Sequence, residues 1–292
     1  MIVGEVLKQA EALCLAADKE PHAARLLLMD RLNLESYELY AALDQKLRPE
    51  VVESYFETLD RYVKHNEPMQ YILGHAYFAG RELFVDERVL IPRPETEELA
   101  YEVILHMDEL FDDTDRYPCI NCADVGTGSG ALAVTLVAEE PRVQMYATDI
   151  SEEALIVARK NAESFAPNIT FLVGDMLQPL IEQGIILDVL VSNPPYIPAQ
   201  EDVAAIVVDN EPHVALFGGE DGLDFYRIIL EQAKYVLAPD QYLIAFEIGH
   251  DQAERLTALA QEHCVGADIW VQQDIQGRDR MLFIAKQKKS LT

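Results

Sequence analysis

The sequence predicts an α/β protein: a small helical bundle, then a β-hairpin linker, then a doubly wound, mostly parallel sheet. Three observations carry this prediction. Residues 1–73 show helical periodicity, and from residue 119 onward apolar runs of strand length alternate with helical stretches. The loops closing those runs hold glycine, aspartate and asparagine, at the strand ends where open α/β sheets bind ligands.

Each element has its own justification. In residues 1–73, Val6, Leu7, Ala10 and Leu13 recur at helical spacing, as do Ala24, Leu27 and Leu28, then Leu39, Tyr40 and Leu43. Pro49 opens another helix through Tyr55, Phe56, Leu59 and Val63, because the first helical N–H needs no partner within the helix. Residues 74–92 alternate about Ala79-Gly80, with Phe78, Leu83, Val85 and Val89 apolar, which predicts the hairpin linker. The sheet domain is assigned residues 93–292. Arg93-Pro94-Glu95-Thr96 opens a helix through Leu110, and Asp112 to Asp115 form a loop. Strands follow at 119–125, 143–148, 170–176, 188–192 and 242–246. Residues 269–271 and 281–285, about Gln276-Gly277, predict a terminal antiparallel hairpin. Helices are expected at 131–138 and 152–162.

Composition limits the functions available. The chain has 292 residues, half of them hydrophobic, which suffices for two domains with a core. No stretch spans a bilayer, and the helical start with Glu5 and Glu11 lacks a basic leader, so a cytoplasmic protein is expected. Of the four cysteines, Cys119 and Cys122 form a lone CxxC inside a predicted strand. It has no second pair for zinc and no helix start for redox work, so no metal is expected. The formal net charge of −28 opposes binding to a phosphate backbone, and no basic stripe relieves it; Gln287-Lys288-Lys289 is short and reads as solvated. Such a field suits a basic protein surface, or a partner that itself binds RNA; plain solubility explains it equally well.

Four strand ends carry the chemistry. Asn193-Pro194-Pro195-Tyr196 closes the run 188–192. Asn193 offers a side-chain carbonyl, and Pro194 a backbone carbonyl held extended by Pro195. Tyr196 adds a flat aromatic face. Together they can accept both hydrogens of a planar NH2 group, from a carboxamide or an aromatic exocyclic amine; a Pro-rich turn is the plainer reading. Upstream, Gly126-Thr127-Gly128-Ser129-Gly130 joins a strand to a helix, and its missing side chains let a ligand approach the backbone. Its spacing is GxGxG, neither the dinucleotide fingerprint nor a phosphate loop. Asp149 ends the next strand, where a carboxylate can accept both hydroxyls of a ribose. Asp175 can accept from an adenine amino group, and the Met176 N–H can donate to a ring nitrogen. Each acid alone reads as a cap or turn residue; four ligand-type ends in order are harder to explain that way.

These residues together resemble a class I S-adenosylmethionine-dependent methyltransferase of the amino-methylating kind. Glu67-Pro68-Met69-Gln70-Tyr71-Ile72-Leu73-Gly74, Ile91-Pro92-Arg93-Pro94-Glu95-Thr96-Glu97, Glu211-Pro212 and Gly218-Gly219-Glu220-Asp221-Gly222-Leu223-Asp224-Phe225-Tyr226 sharpen the match. With Asn193 to Tyr196, they resemble the bacterial peptide chain release factor glutamine methyltransferases, the PrmC/HemK family. The likeness runs from about Glu67 to Arg280, and the N-terminal helices fit by position and length. It implies a seven-stranded sheet, methyl transfer to a glutamine amide in a Gly-Gly-Gln tripeptide of a release factor, and S-adenosylhomocysteine as product. It also implies that the N-terminal helices serve substrate recognition. Met176 stands where some relatives carry an aromatic residue.

The residues then expected at the cofactor are Gly126, Thr127, Gly128, Ser129, Gly130, Asp149, Asp175, Met176 and Asn193. Asn193, Pro194, Pro195 and Tyr196 are expected at the substrate, with Asn193, Pro194 and Tyr196 acting in catalysis. Arg93 and Glu95 either hold a loop over the cofactor or charge a helix start, and Glu247 reads as structural. His75, His213 and His250 read as surface or packing residues. A monomer is expected. Other targets fit the same pattern: adenine in nucleic acid, a ribosomal-protein glutamine, or a nucleoside sensed without chemistry. The first of these predicts a basic cleft for a flipped base.

Overall fold

A computed structural model describes residues 1–166 and 168–287; Lys288 and Lys289 of the basic terminal run lie outside the described residues. The chain forms two compact units, one of residues 1–75 with 204–210, the other of residues 76–203 with 211–292.

The first unit holds five helices, α1 (Val3–Ala16), α2 (His22–Leu32), α3 (Ser36–Ala41), α4 (Pro49–His65) and α5 (Met69–Leu73). Their apolar stripes meet in one core of Val3, Val6, Leu7, Ala10 and Cys14 with Leu27, Leu28, Tyr55 and Leu59. Cys14, not Leu13, takes the fourth α1 position, because spacing from Val3 runs 3, 7, 11; Leu13 and Tyr40 are exposed. Tyr55 satisfies its buried hydroxyl by donating to the Ala24 carbonyl at 2.8 Å. Residues 204–210 add a short helix to this unit, where Asn210 Nδ2 donates to the Asn66 carbonyl at 3.0 Å. No sequence pattern pointed to that grouping.

Two short strands, β1 (His75–Phe78) and β2 (Arg81–Phe84), form the hairpin. Its turn residues Ala79 and Gly80 both have positive φ, as a two-residue turn between twisted strands requires. The strands end at Phe84, and 85–93 continue as turns and extended chain. After α6 (Pro94–Leu110), strands β3 (Ile120–Val125), β4 (Val143–Asp149), β5 (Thr170–Val173), β6 (Val189–Ser192) and β7 (Tyr242–Glu247) precede the hairpin β8 (Asp268–Gln273) and β9 (Asp279–Lys286). The sheet has seven strands in the order β5-β4-β3-β6-β7-β9-β8, parallel from β5 to β7 and antiparallel at β9 and β8. β5 is shorter than expected: it ends at Val173, so Gly174, Asp175 and Met176 form the loop beyond it.

The helices after α6 are α7 (Ala131–Glu139), α8 (Glu152–Phe165), α9 (Gln178–Gln183), α10 (Ala205–Val208, the short helix of the first unit), α11 (Asp224–Ala233) and α12 (Ala253–His263). Alternation divides the sheet's two faces. Leu243 and Ala245 face the core under α6 and α7, whereas Tyr242, Ile244 and Phe246 face the core under α11 and α12. By the same alternation Asp124 and Glu247, near or at the ends of β3 and β7, belong to the α6 face. The strand order reverses between β3 and β6. That reversal opens a crevice at their carboxyl ends.

Candidate active site

Asp124 organises the glycine turn from below. Its Oδ2 accepts from the Thr127 hydroxyl at 2.6 Å and from the Ala133 N–H at 3.2 Å. The side chain is buried, and its Oδ1 has no partner. Burial pushes this carboxyl up to about 7. Gly126 and Gly128 have φ of 73° and 54°, and a Cβ on either would meet nothing within 4 Å, so the turn presents bare backbone to open space. Behind it, Asn161 of α8 (Glu152–Phe165) donates to the carbonyls of Ser129 and Phe84, each at 2.9 Å.

Asp149 closes β4 beside this turn. Its two oxygens accept from the N–H groups of Gly128 at 2.8 Å and Ser151 at 2.9 Å, which fixes the carboxylate plane. Burial raises its pKa, with those two hydrogen bonds opposing. Met176 is buried in a left-handed conformation, and its carbonyl accepts from the Thr148 hydroxyl at 2.9 Å; Asp175 beside it is exposed.

The Asn193 loop leaves β6 next to the glycine turn, because the Ser192 hydroxyl donates to the Val125 carbonyl at 2.6 Å. Asn193 Nδ2 donates to Thr96 Oγ1 at 3.0 Å, and the Thr96 hydroxyl donates to Glu247 Oε2 at 2.6 Å. The Tyr196 hydroxyl reaches Glu247 Oε1 at 3.4 Å, while the Tyr196 ring packs against the core under α11 and α12. Burial pushes Glu247 up to about 7 and raises the Tyr196 phenol, which Glu247 raises further. Beyond Tyr196 the loop runs beside residues 216–219: Ile197 N–H donates to the Leu216 carbonyl and Gly218 N–H to the Ile197 carbonyl. Gln252, also buried, donates to the Tyr196 carbonyl at 2.8 Å. Arg93 pairs with buried Glu211 at 2.5 Å, and Glu211 also accepts the Ile91 N–H at 3.0 Å, so Arg93 holds a loop as well as starting α6.

Two cavities open at the crevice. The larger, about 200 Å³, is lined by Gly126, Gly128, Asp149, Asp175, Met176 and Asn193 among the residues singled out in sequence, with Pro195. The smaller, about 60 Å³, brings Thr127 and Ser129 together with Asp124, Arg93, Thr96 and Asn193. Gly130, Pro194 and Tyr196 line neither; Gly130 begins α7 against Ala158, Pro194 is buried, and Tyr196 turns its hydroxyl to Glu247. Sequence reasoning missed Asp124, Thr96, Asn161 and Gln252. An acid at a core-facing position just before the glycines was the available signal for Asp124, and the segment from Ile91 to Glu97 that carries the family resemblance was the one for Thr96; Asn161 and Gln252 carry none. Among the described residues, no group of three or more His, Cys, Asp or Glu side chains gathers as metal ligands, and no helix is long and apolar enough to cross a membrane.

Residues 109–214 match the family model described as the methyltransferase small domain. The fold is shared with a solved methyltransferase from Pyrococcus furiosus, at TM-score 0.50 and 19% identity over 72% of this chain and 90% of that one. The seven-stranded sheet, that family match and the relatives that follow make the chain a methyltransferase. Residues 5–74 match the PrmC N-terminal domain. The release factor glutamine methyltransferase of Bacillus anthracis is 40% identical over 97% of this chain and 99% of its own length. That of Bacillus subtilis is 39% identical over 95% and 96%. The chain belongs to the release factor glutamine methyltransferase family.

Proposed function

We propose that the protein transfers a methyl group from S-adenosylmethionine to the side-chain amide nitrogen of a glutamine, in the Gly-Gly-Gln tripeptide of a peptide chain release factor. The observation that carries this reading is the position of Asn193. It stands at the reversal of strand order and lines both cavities, next to the glycine turn.

The residues present fit the cofactor. The larger cavity offers the fixed Asp149 carboxylate for a ribose diol, bare backbone at Gly126 and Gly128, and Met176 with Asp175 for a purine. The smaller offers the unpartnered Asp124 Oδ1, an acceptor for an ammonium group. Bound there, S-adenosylmethionine supplies a methyl carbon on a cationic sulfur and leaves as S-adenosylhomocysteine.

This chain's residues supply orientation. An amide nitrogen is a weak nucleophile because its lone pair is delocalised into the carbonyl. Asn193 Oδ1 and the Pro194 carbonyl each accept one N–H of the substrate amide, holding the nitrogen in line. Their dipoles also stabilise positive charge growing on that nitrogen. Orientation and preorganised dipoles can together contribute several kcal/mol, roughly, with no strong base present. Tyr196, whose ring packs against the core under α11 and α12 and whose hydroxyl reaches Glu247, anchors the far end of the loop that carries Asn193. The helical unit serves recognition of the release factor, and the net charge of −28 suits a partner that presents a basic surface.

Purified protein incubated with methyl-labelled S-adenosylmethionine and a release factor, in parallel with ribosomal proteins, DNA and RNA, tests the reading. Label should appear on the release factor and map by mass spectrometry to a glutamine side chain. Label confined to nucleic acid would replace this function with adenine methylation; label confined to a ribosomal protein would change the substrate.

A further inference from the structure

The buried chain of hydrogen bonds behind Asn193 has a direction, and the direction matters. A hydroxyl has a single hydrogen to give, and an ionised carboxylate only accepts. The Thr96 hydroxyl spends its hydrogen on Glu247 Oε2 at 2.6 Å, a length typical of a charge-assisted contact. Its oxygen can then only accept from Asn193, so the NH2 end of that carboxamide faces Thr96, at 3.0 Å. The Asn193 oxygen is thereby turned away from Thr96. Thr96 is 5% exposed and Glu247 1%, so water does not compete for either contact.

We propose that Thr96 and Glu247 are positioning residues for methyl transfer: the Glu247 carboxylate fixes the Thr96 hydroxyl, and that hydroxyl fixes which end of the Asn193 carboxamide meets the substrate amide. This rests on the reading of Asn193 as acceptor for the substrate. The same carboxylate reaches the Tyr196 hydroxyl through its other oxygen, so one buried acid governs both ends of Asn193-Pro194-Pro195-Tyr196. Stability alone does not call for such a group, since an apolar side chain of similar volume would avoid its desolvation cost.

The arrangement is sensitive to pH. Facing Glu247 are Thr96 and Glu95 from α6, Tyr196 from the loop, Tyr226 from α11, whose hydroxyl donates to the Glu247 carbonyl at 2.6 Å, and Arg280 from β9. Arg280 favours the charged form and Glu95 opposes it, while burial pushes the group up to about 7. A protonated Glu247 becomes a donor to Thr96. The Thr96 hydrogen is then released to point at Asn193, and the carboxamide can turn its oxygen inward.

The test compares full-length wild type with Thr96→Val, Thr96→Ser and Glu247→Gln, using release factor as substrate. Thr96→Val should lower kcat by about 10- to 100-fold, with KM for S-adenosylmethionine within about threefold. Thr96→Ser, which keeps the hydroxyl, should recover kcat to within about threefold of wild type. Wild-type kcat should rise with pH through about 7, and Glu247→Gln should lose that acid limb. Full activity in Thr96→Val, equal losses in the Val and Ser variants, or an unchanged acid limb in Glu247→Gln each overturns the proposal. If Thr96→Val fails to fold, the Glu247→Gln pH profile decides. A wild-type chain that labels no release factor overturns the parent reading, and this proposal with it.

Discussion

A Cβ placed on Gly222 would collide with the Tyr196 carbonyl oxygen, which already accepts from Gln252 at 2.8 Å. Gly222 also has φ of 77°, so it is constrained both by its backbone and by what it touches. Gly222→Ala should therefore displace the end of the Asn193 loop, costing about 2 kcal/mol or more in stability and at least about tenfold in kcat. Gly80→Ala is the control: its φ is 74° but a Cβ there meets nothing within 4 Å, so strain alone, about 1 kcal/mol, applies. Urea unfolding of both variants measures the difference, and equal costs would refute the close-approach argument.

Asn193→Ala removes a proposed acceptor for the substrate amide while leaving Asp149 and the glycine turn in place. Turnover should fall by about 1,000-fold or more. Affinity for S-adenosylmethionine, measured by calorimetry, should change by no more than about fivefold. A variant that methylates normally would remove Asn193 from the mechanism.

Asp124→Asn keeps the shape of the buried side chain and removes its charge. If Oδ1 receives the cofactor's ammonium group, S-adenosylmethionine should bind at least about tenfold more weakly, with kcat at saturation little altered. Unchanged binding would assign Asp124 to holding Thr127 and Ala133 alone.

Stability should fall as pH rises through the neutral range. Asp124 and Glu247 each titrate at about 7 in the fold, against about 4 in an unfolded chain. Between those values the folded state binds more protons, so these groups stabilise the fold fully below about pH 4 and lose that contribution by about pH 7. Asp221 has the opposite sign: Arg227 holds it low, and its stabilisation disappears only as pH falls below the ordinary carboxylate range. The melting temperature should be higher near pH 5.5 than near pH 8, by about 5 °C or more. A flat profile would contradict the burial of both carboxyls.

The sheet was legible because its parallel strands are short, largely apolar segments that end at a glycine, an acid or an asparagine, and the ligand-type ends are those closing residues. Asp149, Gly126 and Asn193 could be read directly for that reason. Glu247 ends such a run too, yet reads as structural until α6 is packed over β7; its partner Thr96 lies 151 residues away and looks like an ordinary first-turn residue. Gln252, just before α12, and Asn161, on α8, are similar cases, polar side chains whose targets are backbone carbonyls of remote loops. In α1, spacing alone admitted Leu13, and only three-dimensional packing selects Cys14.

The seven residues 204–210 sit far along the sequence from the helices they join. A chain cut after residue 75 would therefore still carry a fragment of the missing helical unit, and helices expressed alone would lack that piece. Dissecting the two halves calls for excising the insert, or grafting it onto the amino-terminal fragment through a designed link, rather than choosing a single truncation point.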